Sequence, residues 1–393
     1  MALGLPEGGI RQYVLPLFHA QLKHDRTAQN MNSIPTQKKY LFFNTRQWGY
    51  ASSYYQYAKI LVSWNNSVTY LCFDHHLDKI DDNGVNVILL GFSGGFLQRQ
   101  YRLQKTLISL IHRNKYDGIL ITYFPLLFIT KILCPFYHIV LDIKTGYFQN
   151  NKIICWLQNS MIVWNSLFFK RISILSDRLR QRLKLSKKKC WSLPLGGERL
   201  PDITSKDYVS EIKCLYIGSF FKRDIDQTIL GFSKFYEQVK GSIPVRYDIV
   251  GFGSSEDESK IRNAIKETNL NDVIFFHGRK SVEECKEYLG NANVGISYVP
   301  QTPFYDCQPP TKTFEYILSG NVCIGTATTE NKLLINDING ILCQSNQQSF
   351  YEALLTFYNR RAQYRYQDIV ETLHSYEYDQ ILINQLLPIF LSE

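Results

Sequence analysis

Several features that sort proteins into specialised classes are missing from this chain. Its nine cysteines (Cys72, Cys134, Cys155, Cys190, Cys214, Cys285, Cys307, Cys323 and Cys343) are scattered, and no two form a CxxC pair. An odd set inside apolar runs excludes a disulfide frame or a zinc site and reads as reduced thiols in cores. Uninterrupted apolar runs are also missing. The longest candidate, Ile119 to Leu141, carries Lys131 in its middle and is broken by Pro125 and Pro135. It reads as strand, short helix and strand, not as a membrane span. The first thirty residues lack the apolar core of a secretory signal, and residues 1–37 show no sustained period. Met31 is expected to be a downstream translation start. No DxD-like acidic pair ends a strand-like run, so a bound divalent metal is not required; Asp81-Asp82 follow a polar stretch and read as loop. Acids are scarce in one segment: Lys170 to Lys189 holds nine basic residues against the single acid Asp177, in a chain whose whole excess is +9.

What is present is globular. A chain of 393 residues suggests two domains, each with its own core. Hydrophobic residues make up 45% and charged residues 20%, which excludes a disordered chain. The basic segment would attract anionic lipid, phosphate or nucleic acid. No RNA- or DNA-binding motif accompanies it, so nucleic acid is not an expected partner. A solvated helix face is the plainer account of the same charges.

Taken in order, the chain alternates strand-like and helical patterns. Lys39–Asn44, Val68–Phe73, Val85–Leu90, Gly118–Thr122, His138–Asp142 and Ile172–Leu175 read as strands. Helical spacing predicts a helix through Tyr54, Tyr57, Ala58 and Leu61, and another over 97–114. This alternation predicts an open parallel sheet covered on both faces. Ligands of such sheets sit beyond the carboxyl ends of the strands, so the loops after Asn44, Leu90, Thr122 and Asp142 are expected to face one cleft.

Residues 192–212 hold Pro194, Gly196, Gly197 and Pro201 with little periodicity, as a domain boundary would. A second series follows: strands at Lys213–Gly218, Val245–Gly253, Val273–Gly278, Val294–Tyr298, Val322–Gly325 and Gly340–Cys343, with helices between them. Further helices are predicted over 347–358 and 367–391. The expected division is an N-terminal extension at 1–38 without ordered structure, a first Rossmann-like domain at 39–192, a second at 193–365, and a C-terminal helix at 366–393 that crosses back onto the first domain. Such a helix would couple the domains at a hinge, so that closure around a ligand is expected.

The stretch Gln308 to Gly320 concentrates the chemistry. Pro309 and Pro310 precede a helix start, where a missing N–H does no harm. Gly320 suits the left-handed C′ position. Phe314, Ile317 and Leu318 share one face, while Lys312 and Glu315, three apart, share another. A free helix N-terminus binds anions, and Lys312 adds a mobile positive charge. A surface helix with a solvated Lys/Glu pair is the plain alternative.

In order and spacing, Leu215–Gly218, Ile249–Gly253, Phe275–Gly278 and Pro310–Gly320 resemble the nucleotide-sugar domain of the GT-B glycosyltransferases, in particular the retaining family 4 type. Ile174–Asp177 followed by Leu193–Gly197 looks like that family's exit from its first domain. The resemblance covers Cys190 to Cys343 well and is mostly topological before Ser176. It implies a GT-B fold and a hexosyltransferase-like enzyme using a UDP- or GDP-sugar, with no cofactor. Glu315 matches the second glutamate of the family's E-x7-E motif, which hydrogen-bonds the donor ribose. Lys222 and Arg223, after Gly218, resemble the basic pair that neutralises the diphosphate; Thr311 and Lys312 would join them at the helix N-terminus. Lys280 and Ser281 occupy the loop that meets the base, and the turn at Gly251 and Gly253 allows close backbone approach. The chain departs from the pattern at Cys307, eight residues before Glu315, where the first glutamate should contact the donor sugar. Either Asp306 takes that role after a local shift, or the Gln308 loop supplies it through amides.

On the acceptor side, Asp142 and Lys144 end a strand at the cleft, and Asp142 is a candidate contact or base; a strand-end cap is the alternative. Arg46, in the loop before Gly49, is a candidate for an acceptor phosphate. His75 and His76 read as surface residues. Trp164, Phe168 and Phe169 precede the basic run, so 164–189 is expected to touch an anionic membrane peripherally. The leading expectation is a cytoplasmic, membrane-associated transferase, on the inner face of the cell membrane, that moves a sugar with retention onto a saccharide or lipid-linked acceptor in surface polysaccharide or glycolipid synthesis. The alternative is a non-catalytic nucleotide-sugar-binding or scaffold subunit of a transferase complex.

Overall fold

The computed structural model describes residues 35–148 and 151–391. The expectations placed on residues 1–34, including a start at Met31, lie outside the described residues.

Two parallel sheets organise the chain. The first contains β1 (Lys39–Asn44), β2 (Ser67–Asp74), β3 (Asn86–Gly91), β4 (Gly118–Thr122), β5 (Ile139–Ile143), β6 (Arg171–Ile174) and β7 (Cys190–Ser192), in the spatial order β3-β2-β1-β4-β5-β6-β7. The second contains β8 (Ile212–Ser219), β9 (Val245–Phe252), β10 (Ile274–Gly278), β11 (Val294–Ser297), β12 (Val322–Thr326) and β13 (Gly340–Cys343), ordered β10-β9-β8-β11-β12-β13. Every pairing is parallel, so the strand ends that carry functional loops fall on one side of each sheet.

Burial explains the patterns. In β1, Tyr40, Leu41, Phe42 and Phe43 are all buried, because helices cover both faces. One face packs on Leu103, Leu107 and Ile111 of the helix Phe96–Arg113. The other packs on Tyr54, Tyr57, Ala58 and Leu61 of the helix Ser52–Ser63. Each fully buried large apolar side chain contributes about 1.5–3 kcal/mol. The edge strand β3 is only partly buried.

Two elements differ from the sequence reading. Strand β7 is absent from the sequence reading and ends where the boundary segment begins; at three residues it is too short to show a period. The predicted helix over 367–391 is broken into short α, 3-10 and π turns, among them Tyr366–Glu371, Tyr378–Ile381, Leu382–Leu386 and Leu387–Leu391. The break has a cause. Gly197 N–H donates to Tyr376 O (3.1 Å) and Tyr378 N–H to Gly197 O (3.3 Å), so the returning chain pairs with the outgoing linker and cannot continue as a helix. Beyond that crossing the chain packs on the first sheet: Tyr378 lies 5.9 Å from Tyr57 and Phe390 5.6 Å from Tyr40. The Arg171 guanidinium donates to Phe390 O at 3.1 Å.

The segment expected to form one basic, aromatic face is divided. Phe169 is fully buried and Arg171 sits inside the sheet, because both enter β6 and its approach. Arg180 is held by Asp177 and by Leu185 O. Among the described residues no helix is long and apolar enough to cross a membrane.

Candidate functional site

The site begins with the helix Thr311–Leu318 at the carboxyl end of the second sheet. Three helices of this half start with a side-chain cap, Ser254 with Asp257, Ser281 with Glu284, and Asn346 on the amide of Ser349, whereas Asp226–Val239 and Asn331–Leu334 have none. The helix Thr311–Leu318 starts at Pro310 with no side-chain cap, so its first amides are not taken by a cap. A buried polar network fixes this start from behind. Thr313 Oγ1 lies 2.7 Å from Ser297 Oγ and donates to Asn331 Oδ1 at 3.1 Å; Asn331 in turn donates to Thr326 O. Tyr316 accepts from the Ile217 amide at 2.8 Å, which locks the helix to β8.

Lys312 projects from this start into the protein. It is buried, its Nζ has no hydrogen-bond partner, and it lies 3.6 Å from the centroid of Tyr216. Burial, reinforced by the nearby Arg223 cation, holds the Lys312 pKa well below its ordinary value; Glu315 opposes this. Burial raises the Glu315 carboxyl, with Lys312 opposing. Arg223 stacks over Tyr305 at 4.6 Å, and its buried Nη1 also lacks a partner. A buried lysine without a partner among the described residues and a half-buried arginine with one unpartnered nitrogen therefore sit beside this helix start. A buried unpaired cation is costly unless something anionic joins it.

The glycines make room for this arrangement. Gly218 ends β8 at φ +146, and a Cβ there would lie 3.2 Å from Lys312 Nζ. Gly251, at φ +155, abuts the Gly218 carbonyl, which leaves no space for a side chain. Gly253 packs against Asp257 at the next helix start.

Other predicted donor-side residues are engaged elsewhere. Lys222 is exposed and turns over Phe221, leaving Arg223 as the member of the pair that faces Lys312. Lys280 is paired with Glu284 at 2.9 Å and Ser281 caps its own helix. Asp306 accepts from the amide and hydroxyl of Thr329. Gln308 reaches across to Thr145 Oγ1 at 2.6 Å. Cys307 is buried in the core of the first half, and its carbonyl accepts from Ser176 Oγ at 2.8 Å. The segment that should carry the first glutamate is thus an inter-domain bridge, with Phe304 against Phe148 at 5.2 Å.

No family model and no curated protein sequence matches the chain. Solved structures do. A glycosyltransferase from Rickettsia africae superposes with a TM-score of 0.70 at 12% identity, covering 91% of this chain and 98% of that one. The Anabaena protein HepE, determined with UDP and glucose, gives 0.63 at 12%, covering 88% and 97%. Sucrose-phosphate synthase from Thermosynechococcus elongatus gives 0.62 at 14%, covering 88% and 96%. The fold is GT-B.

On the first half of this GT-B fold, Asp142 is a correction to the sequence reading. It is fully buried on β5, with Oδ2 accepting from Tyr54 OH (2.8 Å) and Oδ1 from Ser173 Oγ (2.7 Å). Lys144 lies 3.7 Å from Oδ1 and donates to Leu193 O. A carboxylate with both oxygens engaged inside a sheet is a structural anchor, not a base open to the cleft. Gly49, at φ +85, forms a turn packed on Ile80. Arg46 is exposed and lines a cavity of about 350 Å³ with Phe73, His75, Phe92, Phe96 and Arg99. Arg99 stacks on Phe92 at 4.4 Å, and His75 lies 4.6 Å from the same ring while bonded to Thr45 O. The sequence reading took His75 for a surface residue and did not name Arg99, because one follows β2 and the other lies on the helix Phe96–Arg113, far apart in the chain. Among the described residues no three His, Cys, Asp or Glu side chains converge to hold a metal ion.

Proposed function

We propose that the chain transfers a glycosyl group from a nucleoside-diphosphate sugar to an acceptor held by the first domain. One observation carries the reading: among the described residues the buried atoms Lys312 Nζ and Arg223 Nη1 have no hydrogen-bond partner, beside a helix start without a side-chain cap. The diphosphate would occupy that point. As the bond between the sugar C1 and the phosphate oxygen breaks, its electron pair stays on the phosphate, and preorganised cations and amides stabilise the growing charge. The acceptor oxygen bonds to C1 and its proton passes to the departing phosphate. Glu315, one turn along, would accept from the ribose hydroxyls. HepE, a protein of the same fold, was solved with UDP and glucose, which supports a nucleotide-sugar ligand here. Retention at C1, a UDP- or GDP-linked hexose, and a saccharide or lipid-linked acceptor in surface polysaccharide or glycolipid synthesis complete the reading. The cations supply the charge without a metal, so transfer is expected to survive a chelator.

The rival reading, a nucleotide-sugar-binding subunit without activity, is favoured by one feature. Asp306, Cys307 and Gln308 are committed to Thr329 and to the first domain, so none of them replaces the missing glutamate without rearrangement.

Thermal shifts of the full chain with UDP- and GDP-sugars, followed by product analysis, separate the two. Stabilisation by one nucleotide series, with release of the nucleoside diphosphate, is expected. Stabilisation without turnover would leave the subunit reading. Transfer unaffected by Lys312→Ala and Glu315→Ala would sink the proposed site.

A further inference from the structure

The three helices on one face of the first sheet have an unusual surface. They are Phe96–Arg113, Leu127–Leu133 and Lys152–Ser166, and together they contain no Asp or Glu. From Asn83 to Ser176 the chain has two acids. Asp142 is fully buried, and Asp117 is paired with Lys38 at 3.1 Å. The same interval has ten Lys and Arg residues. No acid on these helices therefore offsets the exposed bases of this layer, which include Lys105, Arg113 and Lys152.

The layer is also apolar outward. Among the described residues, 13 of the 23 exposed large hydrophobic side chains lie between Phe96 and Leu167. Phe136 is 93% exposed, Ile153 71% and Trp156 66%; Leu157, Trp164 and Leu167 join them. Trp164 is steadied by Phe128 at 4.5 Å, so the helices Leu127–Leu133 and Lys152–Ser166 present their apolar residues as one fixed surface. Soluble surfaces rarely gather apolar area in this way unless it meets another phase or partner.

We propose that this helix layer lies on an anionic lipid surface. Apolar and aromatic side chains mixed with bases, and no acid, match the boundary between charged headgroups and acyl chains. A second copy of the chain fits less well, because a two-fold contact would set an acid-free basic face against itself. The inference deepens the proposed lipid-linked acceptor but does not depend on transfer. It also moves the contact away from the basic run 164–189, of which only the first residues belong to this face. Phe96 and Arg99 occupy both the rim of this face and the cavity beside Arg46, so the cavity opens next to the surface.

The test uses the purified full chain and sedimentation with vesicles of phosphatidylcholine, alone or mixed with phosphatidylglycerol. Binding to the mixed vesicles, little to the neutral ones, and loss in high salt are expected. The paired change Trp156→Glu and Leu157→Glu should weaken binding at least about tenfold, because it removes insertion and adds repulsion. The paired reversal Lys105→Glu and Lys152→Glu should weaken it and reduce its salt dependence. Ile338→Glu, an exposed change on the second domain, should leave it intact. All these side chains are exposed, and matched thermal unfolding will show that the variants fold. No binding to anionic vesicles would overturn the proposal, as would equal binding by the Trp156/Leu157 variant. Self-association in the absence of lipid, abolished by that variant, would overturn it in favour of a second copy.

Discussion

Lys312 Nζ rests 3.6 Å from the ring centroid of Tyr216, and no acceptor among the described residues reaches it. Stability alone does not account for such a placement. Lys312→Met keeps the volume and removes the buried charge. The variant should unfold at the same or a higher temperature than the parent. Its transfer rate should fall roughly a hundred- to a thousandfold, the scale of removing one preorganised charge donor. A calorimetric scan and a turnover assay check both; a drop in stability would mean that Lys312 holds the fold.

The same lysine makes nucleotide binding pH-linked. Burial depresses its folded-state pKa, so over a range below the ordinary 10.5 the unfolded chain holds a proton that the folded chain does not. Stability should rise with pH across that range and fall as pH drops toward the depressed value. A diphosphate reverses the preference by pairing with the ammonium. UDP binding at mildly alkaline pH should therefore take up a proton, measured by titration calorimetry in buffers of different ionisation enthalpy. Lys312→Met should show no such uptake.

Restoring the family pattern should fail. Cys307 stands where a donor-contacting glutamate is expected, yet it packs in the first half's core beside the Ser176–Cys307 bridge. Cys307→Glu would bury a larger, charged side chain there and should cost roughly 3 kcal/mol or more. Cys307→Ala should cost about 1 kcal/mol. Urea unfolding distinguishes them, and a Cys307→Glu variant with full stability and faster transfer would show that the segment turns back to the donor.

The second half was more legible than the first for a physical reason. Lys312 and Glu315 sit on one helix, and Arg223 follows one strand, so local spacing already places them. Asp142 is different: its partners Tyr54 and Ser173 are 88 and 31 residues away. A strand-end carboxylate looks the same in sequence whether it faces a cleft or a buried hydroxyl pair. The cavity of Arg46, His75 and Arg99 is likewise assembled from two loops and a helix start that are distant in the chain. Strands β1 and β4 were readable because burial on both faces demands continuous apolar runs, whereas β7 was too short to signal anything.

Asp142→Asn separates an anchor from a base. Tyr54 OH and Ser173 Oγ both donate to the carboxylate, so an amide would leave a donor facing a donor. Stability should drop by roughly 2–3 kcal/mol. Turnover per folded molecule, measured well below the melting point, should stay within a few-fold. Loss of turnover at preserved stability would return Asp142 to a catalytic role.

Glu330 reports on the contact between the two halves. Its residue exposure is 8%, and burial pushes its carboxyl from 4.5 to about 7; Ser176 and Arg178 oppose the rise, while Asp177 and Asp306 add to it. Ser176, Arg178 and Asp177 belong to the first half, so Glu330 lies against the contact between the halves. The folded chain holds a proton that the unfolded chain releases, so stability is fullest below 4.5 and is lost as pH rises through about 7. The rise from 4.5 to about 7 corresponds to roughly 3–3.5 kcal/mol at most. Glu330→Gln should remove this slope from thermal unfolding measured between pH 4.5 and 7. A parent protein that already lacks the slope would mean that Glu330 is solvated, and hence that the Ser176–Cys307 contact beside it opens in solution before any ligand binds.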